Sequence, residues 1–163
     1  MHGDEWEAAV ISLLIHAILG VATTTWVLRK NRHLFARGWN SARPTLVEWT
    51  FWTVATASVI LGWYFNIRYQ YWAHAPSWPD YISKLFTNWA ADSASQDYIF
   101  ANVVLFPLWI IMDGRRQGIR VPWGFFVMSL FTSFGFAMGA YLAVVERQVR
   151  YTRDHAAVQV PVA

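Results

Sequence analysis

One histidine of this chain lies in a setting where its chemistry matters. His16 sits within a long apolar run, where an ionisable side chain is costly and usually faces the protein interior or a wet cavity. In such a setting a histidine serves as a ligand, as a proton carrier or as a polar contact to a bound lipid. The alternative is a neutral histidine that bonds a backbone carbonyl or a hydroxyl of a neighbouring helix. The residue type alone leaves both open.

A second group of polar residues shares one predicted level of a membrane. It lies where three predicted transmembrane helices, helix 2 (about 46–69), helix 3 (about 98–112) and helix 4 (about 122–145), meet the outer surface. At about 1.5 Å per residue, Asn102 lies ~8 Å below Asp97, and His16 lies ~12 Å below the start of helix 1. We therefore expect a polar pocket that opens outward under a Trp-rich loop. The alternative is a set of interfacial salt bridges and caps, with Glu146 pairing with Arg68 or Arg147. The candidate binding residues are His16, Asn66, Arg68, Asn102, Trp109 and Arg147.

Four apolar stretches must position these residues. Of the 163 residues, 56% are apolar and 14% are charged, whereas soluble domains carry about 25% charged residues. Unbroken apolar runs of this length favour helices over a barrel. The sequence predicts an all-α integral membrane bundle, a single domain over 1–163. Its four transmembrane helices are expected at about 8–28, 46–69, 98–112 and 122–145, with a loose tail over 151–163.

The longest connection, residues 70–96, is rich in aromatic residues. Tyr81, Leu85 and Trp89 recur at four-residue spacing. This spacing predicts a short amphipathic helix over 80–89 that lies on the membrane surface.

Basic residues predict the orientation. The first loop carries five Lys and Arg residues and the third carries three, so the positive-inside rule places both loops in the cytoplasm and both termini outside. Arg147, Arg150 and Arg153 near the C-terminus are at odds with this arrangement. The expected location is a bacterial cytoplasmic membrane.

Several kinds of chemistry are disfavoured. The chain has no Cys, which excludes disulfides and cysteine-ligated metal sites. No second intramembrane histidine accompanies His16, and there is no Gly-rich phosphate loop, HExxH or GxSxG motif. No metal and no cofactor are predicted, and a net charge of +3 on so apolar a chain does not indicate nucleic acid.

Small residues recur along two predicted helices. Ala55, Ser58 and Gly62 lie on one face of helix 2, and Gly135 and Gly139 form a small-xxx-small pattern in helix 4. Such faces let helix backbones approach closely. Whether they pack within the chain or against another subunit stays open.

A resemblance to a known family is carried by segments 63–66, 84–88, Ser93, Ser95, 114–118, Trp123, 133–136 and 146–147. Through them, residues 60–150 resemble a bacterial family of small four-helix membrane proteins of unknown function. The resemblance implies a membrane bundle but no activity. It also implies an acidic residue early in helix 3, where this chain has Asn102.

A looser resemblance links the chain to membrane-bound terpene cyclases, which are also small, helical and rich in aromatic residues. It implies that a carboxylic acid protonates an olefin or epoxide and that aromatic rings stabilise the carbocation. The candidate catalytic acids are then Glu146 and Asp97.

Two functions follow from the sequence. The first is an accessory or interaction subunit of a membrane complex, in contact with other subunits or with copies of itself. The second is binding of an isoprenoid, quinone or other lipophilic molecule, or its modification by an isoprenoid cyclase or isomerase. The second function predicts that His16, Asn66, Asn102 and Glu146 face one another.

Overall fold

The computed structural model describes residues 3–36, 39, 42–72 and 78–158, and no strand occurs among them. The helical elements, in chain order, are α1 (Gly3–Lys30), a 3₁₀ turn (Arg32–Phe35), α2 (Leu46–Trp72), α3 (Trp78–Lys84), α4 (Trp89–Ile99), a π-helical turn (Phe100–Leu105), α5 (Phe106–Gln117), α6 (Gly124–Phe131) and α7 (Phe134–Val158).

Three helices among the described residues are long and apolar enough to cross a membrane. They are Val10–Lys30, Leu46–Tyr71 and Trp89–Gln117, the last of which combines α4, the π-helical turn and α5. The first two lie within two residues of the predicted stretches 8–28 and 46–69. The third begins well before residue 98, the predicted start.

Asn88 explains the early start of the third helix. Its side chain accepts hydrogen bonds from the backbone N–H groups of Ala90 and Ala91 at 3.1 and 3.0 Å, which caps the helix. Trp89 therefore begins a long helix, and the predicted amphipathic helix over 80–89 ends at Lys84. Residues 73–77 of the Trp-rich connection lie outside the described residues.

The fourth predicted span, 122–145, is wrong because the chain reverses direction inside it. Gly124 lies against Trp26 and Phe131 lies against Gly20, so α6 runs antiparallel to α1. After the turn, α7 runs back beside α2. The Phe125 and Tyr141 rings, on opposite arms of the turn, are 5.3 Å apart. We call α6, the turn at residues 132–133 and α7 the hairpin.

The hairpin turn has its own hydrogen bonds. Thr132 donates its backbone N–H to the Met128 carbonyl, which ends α6. Ser133 Oγ accepts from the Phe136 N–H at 3.1 Å and caps α7, while it also pairs with Ser58 Oγ at 3.0 Å. The turn lies beside Gly20 and Ser58, the middles of two candidate spans. Non-helical backbone at that depth must be covered by protein.

The reversal also changes the predicted placement of the C-terminal helix. The Tyr151 ring lies 5.4 Å from that of His33 and 5.6 Å from that of Trp39, in the α1–α2 connection. The end of α7 and the start of α1 are thus at opposite ends of the bundle, not on one side as predicted. Residues 151–158 continue α7, and the rest of the predicted loose tail, 159–163, lies outside the described residues.

Basic residues concentrate at the end of the bundle that holds the α1–α2 connection. We call it the basic end. Every described Lys and Arg except Arg68 and Lys84 belongs to the elements that meet there. They are Arg29, Lys30, Arg32, Arg43, Arg115, Arg116, Arg120, Arg147, Arg150 and Arg153.

The core lies where the hairpin meets α5 and α1. Phe125, Met128 and Tyr141 of the hairpin are buried together with Ile110 of α5 and Val27 of α1. By contrast, many large apolar side chains on the outer faces of α1, α2 and the third helix are exposed, as lipid contact requires.

Candidate functional site: a groove between α1 and α2

A groove separates α1 from α2. The two helices scarcely touch each other, because α1 packs mainly on α6 while α2 packs mainly on α7. The hairpin turn forms the floor, where Phe131 and Thr132 line both halves of the groove. Trp63 of α2 also borders both halves, so they form one continuous feature.

One half of the groove is polar. It has a volume of about 510 Å³ including its open mouth, and it lies towards the start of α1 and the end of α2. Its polar lining comes from α1, α2, α3 and the hairpin turn: Ser12, His16, Asn66, Tyr69, Gln70, Tyr81 and Thr132.

The hydrogen bond of His16 fixes its chemistry. Its Nδ1 lies 2.8 Å from the Ser12 carbonyl oxygen. Because a carbonyl oxygen only accepts, Nδ1 is the donor of this bond and carries a proton. The ring also lies 6.0 Å from the Phe131 ring on the groove floor. His16 thus bonds the backbone of its own helix and lines a cavity, and its role as a binding residue stays a prediction.

The other half of the groove is apolar. It measures about 660 Å³, again with its open side, and runs from His16 towards the basic end. Its lining beyond the shared residues is Ala17, Gly20, Val21, Thr24, Thr25, Val59 and Phe136. No Lys, Arg, Asp or Glu occurs among the described residues that line either half. The described lining of the groove is thus polar at one end, apolar along the rest, and without a charged side chain.

Of the predicted binding residues, only His16 and Asn66 line the groove. Arg68 is exposed instead, and its guanidinium donates to the Tyr64 hydroxyl at 2.8 Å. Asp97, a predicted catalytic acid, is also exposed and accepts a hydrogen bond from the Gln96 amide.

Asn102 and Trp109 lie on the third helix, away from the groove. The Asn102 amide donates to the Tyr98 hydroxyl at 3.1 Å, and its Oδ1 accepts from Ser129 at 3.3 Å. Asn102 therefore joins the π-helical turn to α6. Trp109 is 56% exposed and lines a shallow apolar surface with Phe134 and Met138.

Glu146 and Arg147 lie at the basic end, because the hairpin carries α7 away from the groove. Arg147 Nε donates to Glu48 Oε1 at 2.8 Å, and Arg150 binds the other oxygen of Glu48. Glu146 lies 3.5 Å from Arg150. The predicted meeting of His16, Asn66, Asn102 and Glu146 is thus wrong, as is the pairing of Glu146 with Arg68 or Arg147.

We call Glu48, Arg147 and Arg150 the buried ion cluster. Each of the three residues is at most 6% exposed. Arg147 also donates to the Leu34 carbonyl at 3.2 Å, and Arg150 donates to the Arg43 carbonyl at 2.8 Å. The cluster therefore ties α2, α7 and the α1–α2 connection together. Sequence reasoning missed this cluster, whose signal was a lone acid at the start of an apolar helix.

The small residues of α2 and α7 pack against each other. A Cβ added at Gly135 would lie 2.3 Å from Ser58 Oγ, and one added at Gly139 would lie 2.9 Å from Ala55 Cβ. The helices can approach this closely only because these residues are small. The small-residue faces of the two predicted helices therefore pack against each other within the chain.

Among the described residues, no group of His, Asp and Glu side chains is arranged to hold a metal ion. Comparison with curated proteins finds no match, and neither does comparison with solved structures. A family comparison does give a match, over residues 50–147, more than half of the chain. That segment contains α2, the third helix, α6 and the part of α7 up to Arg147. The chain therefore belongs to the family described as "Protein of unknown function DUF2834".

Proposed function

We propose that this protein is a membrane protein that binds a lipophilic small molecule in the groove between α1 and α2. The observation that carries the proposal is the division of the groove into a polar end around His16 and Asn66 and an apolar remainder. Ligand sites are typically concave and mostly apolar, with a few polar groups that fix orientation. An amphiphile with a small polar head matches this pattern.

The lining favours binding over acid-catalysed cyclisation. A cyclase needs a carboxylic acid beside the reacting double bond or epoxide. The described lining contains none, and the two predicted acids, Asp97 and Glu146, belong to other parts of the bundle. Aromatic rings do border the groove, at Trp63, Phe131 and Phe136, and they suit an unsaturated chain.

Native mass spectrometry of the protein released gently from its own membrane tests the proposal. We expect a small-molecule adduct on the wild-type chain. Asn66→Leu and His16→Leu should reduce its occupancy several-fold, because each removes a polar group from the head end. Thr56→Leu is the matched control, since Thr56 lies on the exposed face of α2. Full occupancy in both groove variants would contradict the proposal.

We also propose that the basic end faces the cytoplasm, with the end of α7 inside and the start of α1 outside. The positive-inside rule supports this orientation, and Arg147, Arg150 and Arg153 agree with it once α7 runs back to the basic end. Because the chain has no Cys, Arg153→Cys and Glu7→Cys give single labelling sites. An impermeant thiol reagent on intact cells should label only position 7. Labelling at position 153 would overturn the orientation.

An accessory role is the second candidate. Its support is that α1 packs extensively on α6 alone, so a helix from another subunit could complete its surroundings along the groove. The same native mass spectra distinguish the two functions. A stoichiometric complex with another polypeptide and no small-molecule adduct would favour the accessory role.

A further inference from the structure

We infer that the basic end holds the phosphate headgroup of an anionic phospholipid, at a site built by the end of α1 and by the loop that joins α5 to α6, residues 118–123. The site lies apart from the groove and does not depend on the molecule proposed to bind there. Three cations and two tryptophans form it, and we call them the headgroup site: Trp26, Arg29, Lys30, Arg120 and Trp123.

The basic end carries more positive charge than its own acids neutralise. Among the described residues, ten Lys and Arg residues meet there with four acids: Glu48, Asp113, Glu146 and Asp154. The two glutamates are paired with Arg147 and Arg150 of α7. The side chains of Arg29, Lys30 and Arg120 are exposed, and no hydrogen bond or ion pair with a described residue engages them. These three cations are therefore available to an anion.

The side chain of Asn31 fixes the backbone of Arg120 against the end of α1. The Asn31 amide donates to the Arg120 carbonyl at 2.9 Å, and Asn31 Oδ1 accepts from the Arg120 N–H at 3.0 Å. The same amide donates to the Val27 carbonyl at 3.0 Å, and Asn31 is fully buried. Because Asn31 directly follows Lys30, these bonds place Arg120 beside the last turn of α1, which is basic.

The residue after Arg120 has a strained backbone. Val121 has a φ of 49°, and no other non-glycine residue in the described part of the chain has a positive φ. A β-branched residue keeps such a conformation only where its surroundings enforce it, and strain of this kind concentrates at binding sites. Here Pro122 is wedged against Gly114, where an added Cβ would lie 2.5 Å from it. The loop therefore holds Arg120 in place before an anion arrives, which lowers the entropy cost of binding.

Two tryptophan rings lie one helical turn closer to the membrane interior than the cations. The rings of Trp26 and Trp123 are 5.2 Å apart, and Trp123 is 48% exposed. Trp26 precedes Arg29 by three residues and Lys30 by four, so all three share one face of α1. Indole rings favour the headgroup level of a bilayer. Tryptophans directly below the cations favour a lipid headgroup over a phosphate dissolved in water.

The chemistry of the site selects anionic lipids. A phosphodiester offers acceptor oxygens and a negative charge, which Arg and Lys bind through charge-assisted hydrogen bonds. Basic sites between membrane helices are known to bind anionic headgroups. Phosphatidylglycerol therefore fits the site. Phosphatidylcholine has the same phosphate but carries its own cation, which the three basic side chains repel.

Lipid titration of the full chain, delipidated in detergent and followed by native mass spectrometry, tests the inference. We expect the first phosphatidylglycerol to bind at least about tenfold more tightly than phosphatidylcholine, which corresponds to ~1.4 kcal/mol. Arg120→Gln should weaken phosphatidylglycerol several-fold. Arg68→Gln is the matched control, because it removes the same charge from an exposed arginine at the other end of the bundle. Equal affinities for the two lipids, or unchanged affinity in Arg120→Gln, would overturn the inference.

A third arginine separates a built site from a general attraction of the basic end to anions. Arg116 is exposed at the same end, on α5, and Arg116→Gln should keep most of the affinity. Equal losses in Arg116→Gln and Arg120→Gln would overturn the site. Inorganic phosphate should not displace the lipid, and displacement by it would overturn a lipid as the occupant.

Val121→Gly tests the contribution of the strained loop. Glycine adopts a positive φ without strain, so the fold should be kept, as circular dichroism can check. The loop should then be less rigid, and the affinity for phosphatidylglycerol should fall about threefold because more freedom is lost on binding. Unchanged affinity would overturn the role of the strained loop in holding Arg120.

Discussion

The hairpin contacts the two long helices beside it over different lengths: α7 follows α2 from Ser58 to Glu48, whereas α6 follows α1 only from Gly20 to Val27. Towards α2, the hairpin presents Gly135 and Gly139, and the helices close until a single methyl group would not fit. Towards the start of α1, it presents the bulky Phe131, and a groove opens. The buried ion cluster joins α2 to α7 at the basic end. The contrast indicates that a rigid α2–α7 pair holds an open site beside it.

The largest effect is expected from removing the acid of the buried ion cluster. Glu48→Ala leaves Arg147 and Arg150 buried without their carboxylate, and this should lower the free energy of unfolding by about 3–5 kcal/mol. SDS titration followed by circular dichroism measures the change. Glu146→Ala is the control: Glu146 is 30% exposed and should cost at most about 1 kcal/mol. Equal losses in both variants would contradict the importance of burial.

Adding a methyl group at each of two glycines, one in α7 and one in α2, tests how closely the hairpin packs on α2. In Gly139→Ala the new Cβ meets the backbone oxygen of Phe51 at 2.9 Å, so stability should fall by about 1–3 kcal/mol. In Gly62→Ala the new Cβ lies 3.6 Å from Ser133 Cβ, an ordinary contact. That variant should be neutral or stabilised by up to about 1 kcal/mol, the helix-propensity gain. The same titration measures both, and a reversed order would show that the α2–α7 contact is not tight.

Substitutions in the hairpin turn are expected to lower the free energy of unfolding more than its polar sequence suggests. Ser133→Ala removes the cap on the Phe136 N–H and the pairing with Ser58, which should cost about 1 kcal/mol. Thr50→Ala serves as the matched control, because the Thr50 hydroxyl is exposed and bonds only its own helix. An unchanged unfolding midpoint for Ser133→Ala would mean that the turn does not depend on this cap.

The smallest effect concerns pH at the basic end. Burial, together with the nearby positive charge of Arg120, lowers the pKa of His33 below 6.5. The unfolded chain then binds more protons than the native one, so stability decreases as the pH falls through about 6.5. Unfolding midpoints at pH 8 and pH 5 should differ less in His33→Gln than in the wild-type protein. An equal difference in both would assign the pH dependence to other groups.

The sequence predicted the helical membrane class and placed two spans within two residues, because apolar length is a local property that composition records. It did not predict the direction of the chain. Hydropathy over 122–145 is the same whether the segment crosses the membrane or turns back in it. Two signals of the reversal were present in the sequence. The first is the pair Thr132 and Ser133, residue types that cap helices, within an apolar run. The second is the group Arg147, Arg150 and Arg153, which was at odds with the predicted orientation.

That single error explains most of the missed site. Asn66 and His16 do line the same groove, because α1 and α2 run antiparallel to each other as predicted. Glu146 and Arg147 were assigned to the wrong end because they follow the turn. The partners of Glu48 depend on tertiary contacts, which no spacing along the chain reveals.

The hairpin also bears on how the protein is made. The hairpin starts and finishes at the basic end, so its described residues, 124–158, need not pass to the other side of the bilayer. The polar backbone at residues 132–133 must be covered as it enters the apolar interior, and its cover comes from Gly20 and Ser58. Because this cover belongs to α1 and α2, we expect the hairpin to insert after them, and its insertion would complete the floor of the groove.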